Sequence, residues 1–172
     1  MNIALERSAR PHCLSVVGIH YYLASGRGPF MSFEEIYDNS YERVVDIEIN
    51  GKDFFTRFYD IFLASSEDIR QKFIHTNMEK QRTMLKKSFY HLLIFYGSNQ
   101  ANHYIEDIAK SHDKAHANIP PRFYDLWLDA LIETVKEFDP EFSDDIELAW
   151  RLVLSPGITY MKFFYDRSGS HS

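Results

Sequence analysis

Apolar residues recur along most of the chain at intervals of three and four, the spacing that places side chains on one face of an α-helix. After Ser32, the residues Phe33, Ile36, Tyr37, Tyr41 and Val44 form a first stripe that closes near Asn50-Gly51. A second helix is expected over about 52–65, carrying Phe55, Phe58, Tyr59, Phe62 and Leu63, followed by a short turn over about 66–73 with Ile69 and Phe73. A helix over about 78–96 aligns Gln81, Leu85, Ser88, Leu92 and Tyr96 and ends at Gly97. The next, about 101–116, sets Ile105, Ile108 and His112 on one side. Pro120-Pro121 opens a helix over about 121–138 with Tyr124, Trp127, Leu128, Leu131 and Val135, and the last helix runs over about 143–166. Ser155-Pro156-Gly157 interrupts it, where proline lacks a backbone donor and crowds the preceding turn, so a kink or break is expected there. No strand-like alternation competes, and the fold class is all-α.

The first thirty residues break this pattern. Arg7 and Arg10 precede a weakly apolar stretch, Cys13–Leu23, and Ser25-Gly26-Arg27-Gly28-Pro29 forms a boundary. The stretch resembles an export signal only in outline, because it is weakly hydrophobic and lacks a small-x-small cleavage site. Ser32-Phe33-Glu34-Glu35 has the form of a helix start, which makes Met31 an alternative beginning of the chain. The expected division is an N-terminal extension, 1–30, read as flexible, and one domain, 31–172.

Composition fits that division. The chain has 172 residues, of which 45% are hydrophobic and 16% aromatic, enough for one well-packed core and too few for two ordinary ones. Its net charge of −6 removes the attraction expected of a nucleic-acid or anionic-membrane binder. The single cysteine, Cys13, excludes an internal disulfide and a cysteine-built zinc site, and a reducing cytoplasm is the expected setting.

Candidate chemistry lies where polar residues occupy apolar stripes. His112 shares the Ile105/Ile108 face, where a neutral imidazole needs a partner for each ring nitrogen or a metal. Gln81 and Tyr59 hold inward positions on two other helices, so three polar groups aim into one apolar bundle, as around a buried ligand with a polar or metallic centre. A lone core histidine is otherwise a structural residue. His116, four residues after His112, offers a His-x-x-x-His metal fragment, but no third ligand stands in register with it. His91 and His103 lie off the apolar lines and are expected in solvent.

In order, Phe58-Tyr59, Glu67-Asp68-Ile69-Arg70-Gln71-Lys72-Phe73, Gln81-Arg82-Thr83-Met84-Leu85, His112, Tyr124 and Ala149-Trp150 resemble the globin domain of bacterial flavohaemoglobins and single-domain haemoglobins over roughly residues 36–165. The resemblance implies a globin-like three-over-three helical sandwich holding haem b, with His112 as the iron's protein ligand. It matches Phe73 to the aromatic that stacks on the porphyrin, Leu85 to the apolar residue over the iron, and Tyr59 and Gln81 to the donors that hydrogen-bond a bound gas. Ile108 and Tyr124 complete the cofactor-binding set. Trp127, three residues after Tyr124, is a further candidate donor, as a tryptophan is in some truncated globins. Lys80, Arg82 and His75 fall near where haem propionates would emerge.

The implied ligand is a diatomic gas: oxygen, with nitric oxide and carbon monoxide as further candidates. A gas sensor, or a haem-free globin-like regulator acting through a protein partner, is the alternative. Nitric-oxide dioxygenase or weak peroxidase activity would need electrons from a separate reductase. The sequence departs from the family's pattern in three places. The interval from His112 to Tyr124 is about two residues longer, Phe164-Tyr165-Asp166 stand where a glutamate polarises the ligating histidine, and Pro156 lies within the last helix.

Overall fold

The computed structural model describes residues 31–167; the expected extension, 1–30, lies outside the described residues. Seven helices and one two-residue-per-strand hairpin follow in the order α1 (Phe33–Val44), β1 (Glu48–Ile49), β2 (Lys52–Asp53), α2 (Phe54–Ala64), α3 (Glu67–Lys72), α4 (Met78–Ser98), α5 (His103–His112), α6 (Arg122–Phe138) and α7 (Asp144–Phe164). The class is all-α, as its sequence pattern implies.

Short polar side chains fix where most helices begin. Ser32 and Glu35 cap α1 reciprocally, Ser32 accepting from the Glu35 amide and Glu35 accepting from the Ser32 amide at 2.7 Å. Asp53 accepts from the Thr56 amide at 2.8 Å, Asn77 from Lys80 at 3.0 Å and Asn102 from Ile105 at 3.1 Å. Each bond satisfies one amide that the first helical turn leaves without a partner.

The boundaries differ from the expected ones in three places. α1 stops at Val44, and the segment read as its tail is the β1–β2 hairpin, turned by Asn50 and Gly51 at φ 54° and 74°. Those left-handed positions suit the asparagine-glycine pair. α4 runs through Gly97 to Ser98 and closes on Asn99 in the left-handed region. α5 ends at His112, four residues early, because Asp113 leaves the helical conformation. α7 is one helix from Asp144 to Phe164 despite Pro156, which overturns the expected break. It is packed against α1, α4, α5 and α6, so tertiary contacts hold the turn that lacks one backbone bond.

α7 supplies the centre of the molecule. Trp150, Val153 and Leu154 are fully buried, and Trp150 meets Tyr37 of α1, Phe54 of α2 and Phe89 of α4 at ring-centroid distances of 4.6, 6.1 and 5.9 Å. Its indole N–H donates to Ser40 Oγ at 2.9 Å, and Ser40 donates to Asp139 at 2.6 Å. Arg43 closes the network with two bonds to the same carboxylate, 2.9 and 2.8 Å. α2 lies along α6, and these two with α4, α5 and α7 enclose a cavity.

Candidate functional site

The cavity has a volume of about 180 Å³ and is partly open to solvent. Its wall is predominantly apolar: Phe62, Phe73, Met84, Leu85, Leu92, Ile105, Ile108, Ile119, Phe123, Ile158 and Met161 contribute to it. Tyr59, Gln81, Tyr124, Trp127 and His112 line the same space. The side chains picked from the sequence to pack on the cofactor, bind its iron or meet the gas therefore line one space, brought there by four helices, α2, α4, α5 and α6, and the residue after α3.

His112 ends α5 with its two ring nitrogens in different environments. Nδ1 donates to the Ile108 carbonyl at 2.9 Å, and Ser111 Oγ, itself bonded to that carbonyl at 2.8 Å, lies 3.0 Å away. A carbonyl oxygen only accepts, so the proton sits on Nδ1 and the Nε2 lone pair is free. Nε2 has no hydrogen-bond partner among the described residues. Burial holds the imidazole below the usual histidine range, against the opposing effect of the Ile108 bond. The side chain is thus a neutral, oriented donor of one lone pair into an apolar space.

Across the sequence from it, Tyr59 on α2 is 4% exposed. Burial pushes its phenol up to about 12, opposed by the nearby polar side chain of Gln81 and by the charge of Arg82, so it remains a proton donor throughout the physiological range. Trp127 lies edge-on to Phe58 and Phe89, 5.8 and 6.2 Å between centroids, and its indole N–H has no acceptor among the described residues. The Tyr124 phenol, also raised by burial, has none either.

The loop after His112 is built on Asp113, whose Oδ1 accepts from the amides of Ala115 and His116 at 2.8 and 2.9 Å and lies 2.8 Å from His116 Nδ1. His116 is exposed and off the helix, so it shares no helical face with His112. The C-terminal turn braces this loop: Tyr165 donates to Asn118 at 2.7 Å, and Asp166 pairs with Lys114 at 3.7 Å. Asp166 is therefore committed to Lys114 and makes no bond to Tyr124 or His112. His91, expected in solvent, is half-buried and stacked on Tyr104 at 4.0 Å, with Nδ1 3.2 Å from Asn102; it ties α4 to α5. His103 is exposed and 3.4 Å from Glu106.

No protein-family model and no curated protein matches the sequence. A solved structure does: a protein from Pseudomonas aeruginosa PAO1, described as structurally highly homologous to a human haemoglobin, superposes with a TM-score of 0.71 at 34% identity, over 78% of this chain and 98% of that one. The chain belongs to the globin family.

In this globin the cations expected near the propionates do not line the cavity itself. Lys80 lines a separate surface groove with Asn77 and Thr83, His75 is exposed, and Arg82 acts on Tyr59 without lining the cavity. Lys72, read from sequence only as part of a motif, lines the cavity instead. Among the described residues no three His, Cys, Asp or Glu side chains gather as a metal-ion site, and no helix is long and apolar enough to cross a membrane.

Proposed function

We propose that this globin holds haem b in the cavity and reversibly binds oxygen, with nitric oxide and carbon monoxide as further ligands. The observation that carries this reading is His112: a half-buried, neutral imidazole whose Nδ1 proton is fixed by the Ile108 carbonyl and whose Nε2 has no partner among the described residues in an apolar cavity. That is the donor a haem iron requires from a protein, with the second nitrogen fixing tautomer and ring orientation. Bound there, the group would supply iron with a position open to a diatomic gas.

The chain's own residues account for the rest. Leu85, Phe73 and Ile108 keep bulk water out of the cavity, which protects the ligand and strengthens every polar contact inside. Tyr59 and Gln81 present a phenol and an amide to the gas, and a polarised oxygen molecule is stabilised by such donors more than an unpolarised one. Trp127 has a third N–H in the same wall. The partners of this reading are a gas and a separate reductase, and its setting is the cytoplasm.

Titration of the purified protein with haem tests it. The expected result is saturable binding with a Soret band that His112→Ala loses and His116→Ala keeps. Absence of saturable binding by the unaltered protein, or an unchanged spectrum in His112→Ala, overturns it.

A further inference from the structure

Asn102 serves two groups at the start of α5. Its Oδ1 accepts from the Ile105 amide at 3.1 Å, which caps the helix, and its Nδ2 lies 3.2 Å from Nδ1 of His91 on α4. An amide nitrogen only donates, so His91 Nδ1 accepts and the ring carries its proton on Nε2. The same imidazole is stacked on Tyr104 of α5, 4.0 Å between centroids. Ile105 is buried and lines the cavity, so this clasp fixes a turn of α5 that forms part of the cavity wall. The groups that face the ring are Lys87 and Tyr90 on its own helix and Tyr104 on α5: Tyr90 lies 5.6 Å from it, and the Lys87 ammonium sits 4.9 Å from the Tyr104 centroid. No carboxylate is within ion-pair distance of His91 among the described residues; Glu106 of α5 is paired with His103 at 3.4 Å.

We propose that His91 is a proton-sensitive positioning residue for the α5 wall of the cavity: neutral, it accepts from Asn102 and leaves that side chain's oxygen on Ile105; protonated, it opposes the cap. The reason is a conflict of donors. An imidazolium carries an N–H at both ring nitrogens, so Nδ1 would point a proton at the Asn102 amide nitrogen. Asn102 then keeps its bond to His91 only by turning its amide over, which takes the oxygen from Ile105 and leaves the first turn of α5 without that acceptor. The added charge also meets Lys87, already placed on the Tyr104 ring, with no carboxylate to offset it. Burial and Lys87 both hold the His91 imidazole below the usual histidine range. The neutral clasp is therefore complete above the unfolded value, about 6.5, and is lost as pH falls from there through the folded value. The device is built from the chain's own residues and does not depend on what the cavity holds.

The measurement is amide hydrogen exchange of the full chain, followed residue by residue by NMR. The Ile105 protection factor, which divides out the intrinsic pH dependence of exchange, is expected to fall by about 3- to 10-fold between about pH 7.5 and about pH 5, the scale of losing one helix N-cap. The Lys80 amide, capped by Asn77 at 3.0 Å, is the reference within the same chain and should hold. His91→Phe keeps a ring on Tyr104 and cannot titrate, so the fall should disappear. Asn102→Asp should also abolish it, for a different reason: a carboxylate caps Ile105 and accepts from the imidazolium as well. In that variant the His91 midpoint, read from its ring protons, should move up by about one pH unit. An Ile105 protection factor equal at the two pH values, or a fall that Lys80 shares, overturns the proposal on the unaltered chain alone. So does a fall that persists in His91→Phe, which would assign it to another group, or one that persists in Asn102→Asp, which would separate His91 from the cap.

Discussion

Three polar side chains that line the cavity carry the functional argument, and each has a separate physical reason for being where it is. Tyr59 and Gln81 occupy stripe positions on α2 and α4, and the phenol, raised to about 12 by burial, stays protonated and able to donate. Replacing Tyr59 with Phe removes that donor while keeping the ring that packs on Phe58 and Phe73. Oxygen dissociation is expected to accelerate by about 10-fold or more, roughly 1.4 kcal/mol, with a much smaller change for carbon monoxide, which carries less charge when bound. Stopped-flow measurement of both gases checks this; equal, small changes would exclude Tyr59 and leave Trp127 as the leading donor. At this scale the sequence was informative because a histidine, a glutamine and a tyrosine stand in apolar stripes, where burial demands a use for them. Lys72 was not legible: a lysine at the end of a six-residue helix reads as surface charge, and in the structure it touches the cavity while its ammonium bonds the Ala117 carbonyl, 45 residues away. His116 was ambiguous for a related reason, since its relation to His112 depended on where α5 ends.

Helices were legible as elements because their stripes are long, and the errors fall at ends and joints, where single residues decide. The β1–β2 hairpin buries almost nothing, so no apolar pattern announces it; its signal was the Asn50-Gly51 pair, which also ends helices. Pro156 breaks isolated helices, but α7 sits among four others that hold it helical through the lost bond. The residue after that proline shows how closely: a Cβ on Gly157 would lie 2.1 Å from Leu92 Cδ2 on α4. Gly157→Ala should therefore push Leu92, a cavity residue, off its position and destabilise the protein by about 1–3 kcal/mol, offsetting the helix preference for alanine. In the Gly157→Ala/Leu92→Ala pair the two costs should be non-additive by at least about 0.5 kcal/mol in denaturant unfolding; full additivity would place the crossing's sensitivity elsewhere. A second joint is electrostatic. Asp139, just past α6, is buried, and the Arg43 and Ser40 hydrogen bonds hold its carboxyl below the usual range against the opposing effect of burial. A carboxyl lowered on folding stabilises fully above its unfolded value, about 3.9, and the contribution is lost as pH falls through the folded value. Asp139→Asn should destabilise at pH 7 by about 3 kcal/mol and should flatten the loss of stability on acidification below about pH 4; an unchanged acid limb in urea melts would show that other carboxylates dominate it.

On the scale of the whole molecule, the described core and cavity are built from residues between Met31 and Arg167. α1 begins at a reciprocal Ser32/Glu35 cap, so the helix has its own start and needs no residue before Met31 to satisfy its first amides. Its inward side chains, Tyr37, Ser40 and Val44, are already buried against α7 and the hairpin region, and the Ser40 network ties it to Trp150 and Asp139. Among the described residues, none that lines the cavity precedes Tyr59. The P. aeruginosa haemoglobin-like structure is matched over 98% of its own length by 78% of this chain, so a globin's worth of sequence is accounted for without using all of it. Removing 1–30 takes away Arg7, Arg10 and Arg27 against Glu6, leaving a more acidic remainder that should stay soluble. A chain starting at Met31 is accordingly expected to fold with a thermal midpoint within about 3 °C of the full chain, less than the shift from 1 kcal/mol in a domain of this size, and to take up haem with the same Soret maximum. Calorimetry and a haem titration on the two chains decide the matter. A midpoint lower by 8 °C or more would mean that the first thirty residues bury surface the domain cannot leave exposed. An unchanged midpoint with impaired haem uptake would locate their contribution at the cavity, and would make the N-terminal segment part of the site.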